Sequence, residues 1–203
     1  MRADSIVFAV AGVLFGVIVG WVLGSQQARS VAPPVPVAQA QAAGQAPAQQ
    51  GSQAIPLDQE RVKALESVAQ QNPKDAQPRT QLGNMFFDAE QYPQAISWYE
   101  QAFALDSKDP NLSTDLGVAY YYTNQPDRAI KQLEHSLSVD ARHVKTLLNM
   151  GIVRAFGKQD LQGAAQAWEQ VVAIAPNSPE GQAAQKGLEG LKNAHPTGAT
   201  GEK

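Results

Sequence analysis

A short motif recurs three times along the middle of this 203-residue chain. Residues 82–86 read LGNMF, residues 116–120 read LGVAY and residues 150–154 read MGIVR, so each copy follows the previous one after 34 residues. A second motif accompanies each copy, an alanine with a large apolar residue four positions later. Its three pairs are Ala95 with Tyr99, Ala129 with Leu133, and Ala164 with Trp168. Self-similarity at a fixed period of this length indicates an array of repeated structural units.

The pattern resembles the tetratricopeptide repeat, whose motif is L-G-x2-Y, then A-x3-F and a closing proline, with a period of about 34 residues. The resemblance implies an all-α solenoid in which each repeat is a hairpin of two antiparallel helices. Small residues at the glycine and alanine positions let the paired helices approach closely, and stacking of the hairpins supplies the core. We therefore predict repeats at about 76–109, 110–143 and 144–178, within a domain of residues 57–192.

Six helices follow from this register, at 76–89, 92–105, 110–122, 126–139, 144–156 and 161–174. A degenerate helix at 58–71 precedes them and a capping helix at 178–192 follows them. The third unit has one residue more than the others between its glycine and its alanine, and we place this residue in the turn at 157–161. Arg154 stands where the family has an aromatic residue, so we expect the third unit to pack differently from the first two.

In the family, the first helix of each hairpin lines a concave surface that contacts the ligand. The resemblance implies that these positions form an aromatic and apolar groove for a protein or peptide partner, although neighbouring helices could instead bury the aromatic residues. The candidate partner-binding residues are Asn84, Phe87, Asn111, Tyr121, Tyr122, Lys145 and Phe156, with Leu148, Ile152 and Ala155 at the intervening positions of the third unit. A grip on a terminal carboxylate is disfavoured, because Thr80 replaces a lysine of that mode and Asp115 faces the same region.

An uncharged apolar segment, IVFAVAGVLFGVIVGWVL, occupies residues 6–23. As a helix it would reach roughly 27 Å, close to the hydrocarbon thickness of a bilayer, so we predict a transmembrane anchor at 1–25. The alternative is a cleaved signal peptide, but the apolar run is longer than is typical of one. Gly12, Gly16, Gly20 and Gly24 form a stripe on which a second membrane helix could pack, from another copy or from another protein.

Residues 26–56 are rich in Ala, Gln and Pro and predict a disordered linker, and residues 193–203 predict a disordered tail. The few charges that flank the apolar segment favour an extracytoplasmic position for the repeats, in the periplasm of a bacterial inner membrane. This order of anchor, linker and repeats is similar to that of the tetratricopeptide subunits of bacterial cytochrome c maturation complexes.

Composition excludes several function classes. The formal net charge is −3, which does not favour nucleic-acid binding, and the absence of cysteine excludes disulfides and thiol catalysis. The three histidines lack metal-site spacing and no catalytic motif is present, so we predict neither an enzyme nor a metal or cofactor site. The sequence therefore predicts a membrane-anchored interaction scaffold. The alternative is a structural membrane protein that self-associates through its glycine-striped helix.

Overall fold

The computed structural model describes residues 55–194, which form an all-helical array without β-strands in that range. The predicted anchor with its four stripe glycines, nearly all of the linker and most of the tail lie outside the described residues. The helices are α1 (Gln59–Gln71), α2 (Gln77–Asp88), α3 (Tyr92–Leu105), α4 (Pro110–Tyr122), α5 (Pro126–Val139), α6 (Val144–Ile152), α7 (Leu161–Ile174) and α8 (Pro179–Ala194). The predicted repeat architecture is confirmed. Within residues 55–194, none of the helices combines the length and apolar character that a membrane span requires.

Aspartates and prolines determine where several helices begin. The Asp58 carboxylate accepts hydrogen bonds from the backbone N–H groups of Glu60 and Arg61, at 3.1 and 3.0 Å, and caps α1. Asp109 caps α4 in the same way, and Pro110 follows it as the first helical residue. Such capping satisfies backbone donors that have no partner within the helix, and proline costs nothing at a position whose N–H would be unpaired.

Each hairpin is closed by a large residue that packs against the glycine of its first helix. Tyr99 packs against Gly83, and the ring of Trp168 packs against Gly151, so closely in both cases that a methyl group on the glycine would overlap the ring. In the second repeat a methyl group on Gly117 would lie 3.1 Å from Leu133. The motif residues therefore pair within hairpins, as their role in close helix packing requires.

The third repeat differs from the prediction in the position of its extra residue. Residues Val153–Gly157 form a π-helical turn that continues α6, and the Lys158 N–H bonds to the Val153 carbonyl at 3.1 Å. The turns after α2 and α4 contain a residue with positive φ, Glu90 and Asn124, and its counterpart in the third repeat is Gln159. Because the turn is the same in all three repeats, the insertion lies in the helix before it. Our placement of it at 157–161 was wrong.

A buried hydroxyl network joins the second and third repeats. The side-chain oxygens of Thr114, Ser136 and Thr146 lie 2.6–3.1 Å from one another, and all three residues are fully buried. The Pro110 carbonyl accepts from two of them, and Nδ1 of His143 lies 2.6 Å from the Thr146 hydroxyl. Because each buried hydroxyl has partners here, the network fixes how α4, α5 and α6 pack.

Candidate functional site

Four aromatic rings meet where α2 and α4 end and α3 begins. The Phe87 ring lies edge-on to Tyr92 and to Tyr122, with centroids 5.2 and 5.4 Å apart, and Tyr92 stacks on Tyr122 at 4.7 Å. Tyr121 adjoins Tyr122 at 6.0 Å. All four residues are half-buried, so each keeps part of its surface accessible. We call the surface formed by Phe87, Tyr92, Tyr121 and Tyr122 the aromatic face.

The structure brings three of the predicted partner-binding residues, Phe87, Tyr121 and Tyr122, into this face. Tyr92 is a fourth member that sequence reasoning missed. It stands five residues after Phe87, across the short turn that joins α2 to α3. A tight hairpin turn places the end of one helix beside the start of the next, so this spacing was the available signal.

The polar residues of the predicted groove lie on α2, α4 and α6. The Tyr99 hydroxyl donates to the Asn84 side-chain carbonyl at 2.7 Å, which holds this amide in place. Lys145 pairs with Asp115 at 2.6 Å across the second and third repeats. Asn111 is exposed in the first turn of α4. The polar members of the predicted groove thus include an oriented amide, an exposed amide and a lysine already joined to a carboxylate.

Phe156 lies in the π-helical turn and is half-buried. The next residue, Gly157, approaches the second repeat closely, since a methyl group added to it would lie 2.9 Å from Pro126 and 3.2 Å from the Tyr121 ring. The extra residue of the third repeat therefore places this turn beside the end of α4, next to the aromatic face.

The third repeat contributes less to a binding surface than the sequence predicts. Leu148, Ile152 and Ala155, expected at groove positions, are only 1%, 7% and 5% exposed. The capping helix α8 packs on both α6 and α7, so the end of the array is covered. Buried residues cannot contact a ligand, and their assignment to the groove is corrected. The accessible part of the predicted groove therefore lies mainly on the first two repeats.

Burial and nearby carboxylates raise the pKa of several groups around the aromatic face. Asp88 is exposed, but partial burial of its carboxyl group raises its pKa above the usual value, and the nearby Asp115 carboxylate raises it further. Burial also raises the pKa of Tyr92 and Tyr122, and Glu90 contributes to both shifts. The tyrosines therefore keep their hydroxyl protons at neutral pH. Residues 55–194 hold no cluster of three side chains suited to a metal ion.

Two family models match overlapping ranges within the described residues. Residues 83–124 match the family described as TPR repeat, and residues 114–179 match the family described as tetratricopeptide repeat. These matches identify tetratricopeptide repeats within residues 83–179. A search of curated proteins found no match.

Several solved structures share the fold of these tetratricopeptide repeats. The NMR structure of the first TPR domain of human RPAP3 is 25% identical with a TM-score of 0.55, covering 60% of this chain and 93% of that chain. The crystal structure of the Sgt2 TPR domain from Aspergillus fumigatus is 26% identical with a TM-score of 0.55, covering 63% of this chain and 85% of that chain. The crystal structure of MamA is 17% identical with a TM-score of 0.54, covering 66% of this chain and 85% of that chain.

Proposed function

We propose that this protein is a membrane-anchored scaffold whose tetratricopeptide repeats bind a segment of another protein on the aromatic face. The aromatic face itself carries the proposal. It gathers four half-buried rings from two successive repeats, whereas Tyr99 and Trp168 are fully buried in the core. Clustered aromatic side chains with accessible surface are typical of recognition sites, where they supply large contact area at low entropic cost.

The repeats also suit this role by their type, since tetratricopeptide domains typically act as interaction modules without catalysis. A structure with the same fold, the first TPR of Spaghetti (RPAP3), is bound to an HSP90 peptide, SRMEEVD; it is 22% identical with a TM-score of 0.52. An extended or helical segment could likewise place apolar side chains against the rings of this chain, while the amides of Asn84 and Asn111 bond to its backbone.

The membrane part of the proposal rests on residues 6–23 of the sequence, whose length and apolar character suit a single span. We propose that this anchor holds the repeats on the periplasmic side of a bacterial inner membrane, in the assembly of an envelope complex such as that of cytochrome c maturation. The order of anchor, linker and repeats supports this setting.

Site-specific photo-cross-linking in native membranes tests the scaffold function. A photoreactive amino acid is placed at Phe87 in the full chain, or at Glu134 on α5 as a matched control away from the aromatic face. We expect a distinct protein to be captured from position 87 and not from position 134. A synthetic peptide from the captured region should bind the purified chain, and Tyr122→Ala should weaken binding by about 2 kcal/mol, the loss expected of an interface hot spot.

Two results would contradict the proposal. Equal capture from both positions would show that the aromatic face is not the binding surface. Adducts formed only between copies of this chain would favour the alternative, a structural membrane protein that self-associates through residues 1–25.

A further inference from the structure

The carboxylates beside the aromatic face outnumber the cations. Asp88 ends α2, Glu90 lies in the following turn, and both are exposed. In the part of the chain that the structure describes, neither of them belongs to an ion pair. Lys145 on α6 and Lys158 after the π-helical turn already pair with Asp115 and Asp127. Four carboxylates against two ammonium groups leave two negative charges unbalanced.

Both unpaired carboxylates lie next to ring residues in the chain, since Asp88 follows Phe87 directly and Glu90 lies two residues before Tyr92. Burial raises the pKa of Tyr99, and the carboxylates of Asp115 and Asp88 raise it further; the Tyr99 hydroxyl donates to Asn84. Glu90 acts on Tyr92 and Tyr122, which stack on each other. The negative field therefore covers the aromatic rings and the amide beside them.

Elsewhere in the chain, a guanidinium group occupies a site that combines a tyrosine ring with a carboxylate. On α4 and α5, the guanidinium of Arg128 lies 3.9 Å from the centroid of the Tyr120 ring and pairs with Glu100 at 2.9 Å. A cation over a tyrosine face beside a carboxylate gains both from the ring quadrupole and from the ion pair. Tyr92 and Glu90 repeat the ring and the carboxylate, while Glu90 has no cationic partner among residues 55–194.

Building on the proposed function, we propose that the segment bound on the aromatic face is cationic: its Lys or Arg side chains lie over the tyrosine rings and pair with Asp88 and Glu90. Apolar side chains of the same segment contact Phe87 and Tyr122. A segment rich in Asp or Glu is repelled, because it adds negative charge where two carboxylates already lack counter-ions.

Selection from a random peptide display library tests this inference with the full chain as bait. Four baits are compared: the wild type, the Asp88→Asn/Glu90→Gln double variant, a Phe87→Ala variant, and a Glu134→Gln/Glu169→Gln control. The control removes two exposed carboxylates from the second helices of their hairpins, so it changes the net charge equally. Circular dichroism establishes that each bait is folded.

We expect the wild type and the control to enrich peptides with excess Lys and Arg, and the double variant to lose this bias. The affinity of the best enriched peptide should fall roughly three- to tenfold in the double variant, as for two exposed charge contacts, and stay within about twofold in the control. Raising the salt from about 0.05 M to about 0.5 M should erase most of this difference by screening.

Enrichment of neutral or acidic peptides by the wild type, lost in the Phe87→Ala variant, would overturn the cationic ligand and leave the proposed function standing. Failure of the wild type to enrich any peptide beyond the Phe87→Ala variant would overturn both. If Lys/Arg enrichment persisted unchanged in the double variant, Asp88 and Glu90 would not be the groups that select cationic peptides. That result would also overturn the inference.

Discussion

At the scale of the residue, the repeat glycines differ in what packs on them. In Gly151→Ala the added methyl group would overlap the Trp168 ring, which is fully buried and has no room to move. Overpacking of this kind typically costs about 1–3 kcal/mol. We therefore expect Gly151→Ala to lower the free energy of unfolding by that amount, measured by urea denaturation followed by circular dichroism.

Gly117→Ala is the matched control, because the same methyl group would lie 3.1 Å from the flexible Leu133 side chain. Leu133 is also buried, but contacts of 3.1 Å with it and 3.3 Å with the Ala129 carbonyl require shifts of only a few tenths of an ångström, and alanine gains about 1 kcal/mol over glycine in helix propensity. The net change should be close to zero. Equal losses in the two variants would show that ring packing is not what requires the glycine.

His143 gives the fold a pH dependence. Burial lowers its pKa below the ordinary value of 6.5, the value we take for the unfolded chain. The neutral form is therefore favoured in the folded state, so this contribution to stability is fully present above pH 6.5 and is lost as the pH falls from there through the lower pKa of the folded state. We expect the free energy of unfolding to decline from about pH 7.5 to about pH 5.5, and His143→Gln to flatten the decline.

The same variant separates charge from hydrogen bonding. At about pH 8 the imidazole is neutral in both states, so any loss in His143→Gln there reports only its contact with the Thr146 hydroxyl at 2.6 Å. If the wild type and the variant declined in parallel as the pH fell, the dependence would belong to other groups.

At the scale of the element, the hairpin turns contain a residue in a conformation that is energetically unfavourable for side chains with a Cβ and favourable for glycine. Gln159 has a φ of 56°, in the left-handed region that side chains with a Cβ adopt only at a cost of about 1–2 kcal/mol. Glycine adopts it freely but loses more chain entropy on folding. We expect Gln159→Gly to raise the free energy of unfolding by about 1 kcal/mol, measured by thermal and urea denaturation.

The control is Gln166→Gly in the middle of α7, where the residue is exposed and helical. There glycine should lower the free energy of unfolding by about 1 kcal/mol, since it weakens a helix interior. Destabilisation at both positions would contradict the claim that the turn is conformationally costly.

The helices could be predicted from the sequence because independent signals agree on them. The glycine and alanine motifs give the register of the repeats. The start of α4 is marked by Asp109 and Pro110, and the start of α5 by Pro126. The π-helical turn could not be predicted, because motif spacing counts an extra residue without locating it. Only the backbone shows that Gln159 is the counterpart of Asn124 and that the insertion precedes it. Burial of Leu148 and Ile152 was missed because it depends on how the capping helix packs.

At the scale of the whole molecule, the sequence offers two contact surfaces. One is the aromatic face, and the other is the glycine stripe of residues 12–24, which lies outside the described residues. If the anchor and linker act as the sequence predicts, the linker would let the repeats range over roughly 30 Å from the membrane. Restricting them to this layer would raise their effective concentration for a client in the same membrane.

Self-association through the proposed glycine stripe would distinguish the structural alternative from a scaffold that acts in single copies. Gly16→Leu places a bulky side chain where a second helix would need to approach, whereas Val17→Leu places the same leucine side chain at the neighbouring position, off the stripe. We expect Gly16→Leu to reduce self-association in a membrane-helix association assay and Val17→Leu to leave it unchanged. No effect of Gly16→Leu would remove self-association through the stripe. Loss of self-association without loss of client capture at Phe87 would show that the repeats bind their partner independently of the anchor's packing.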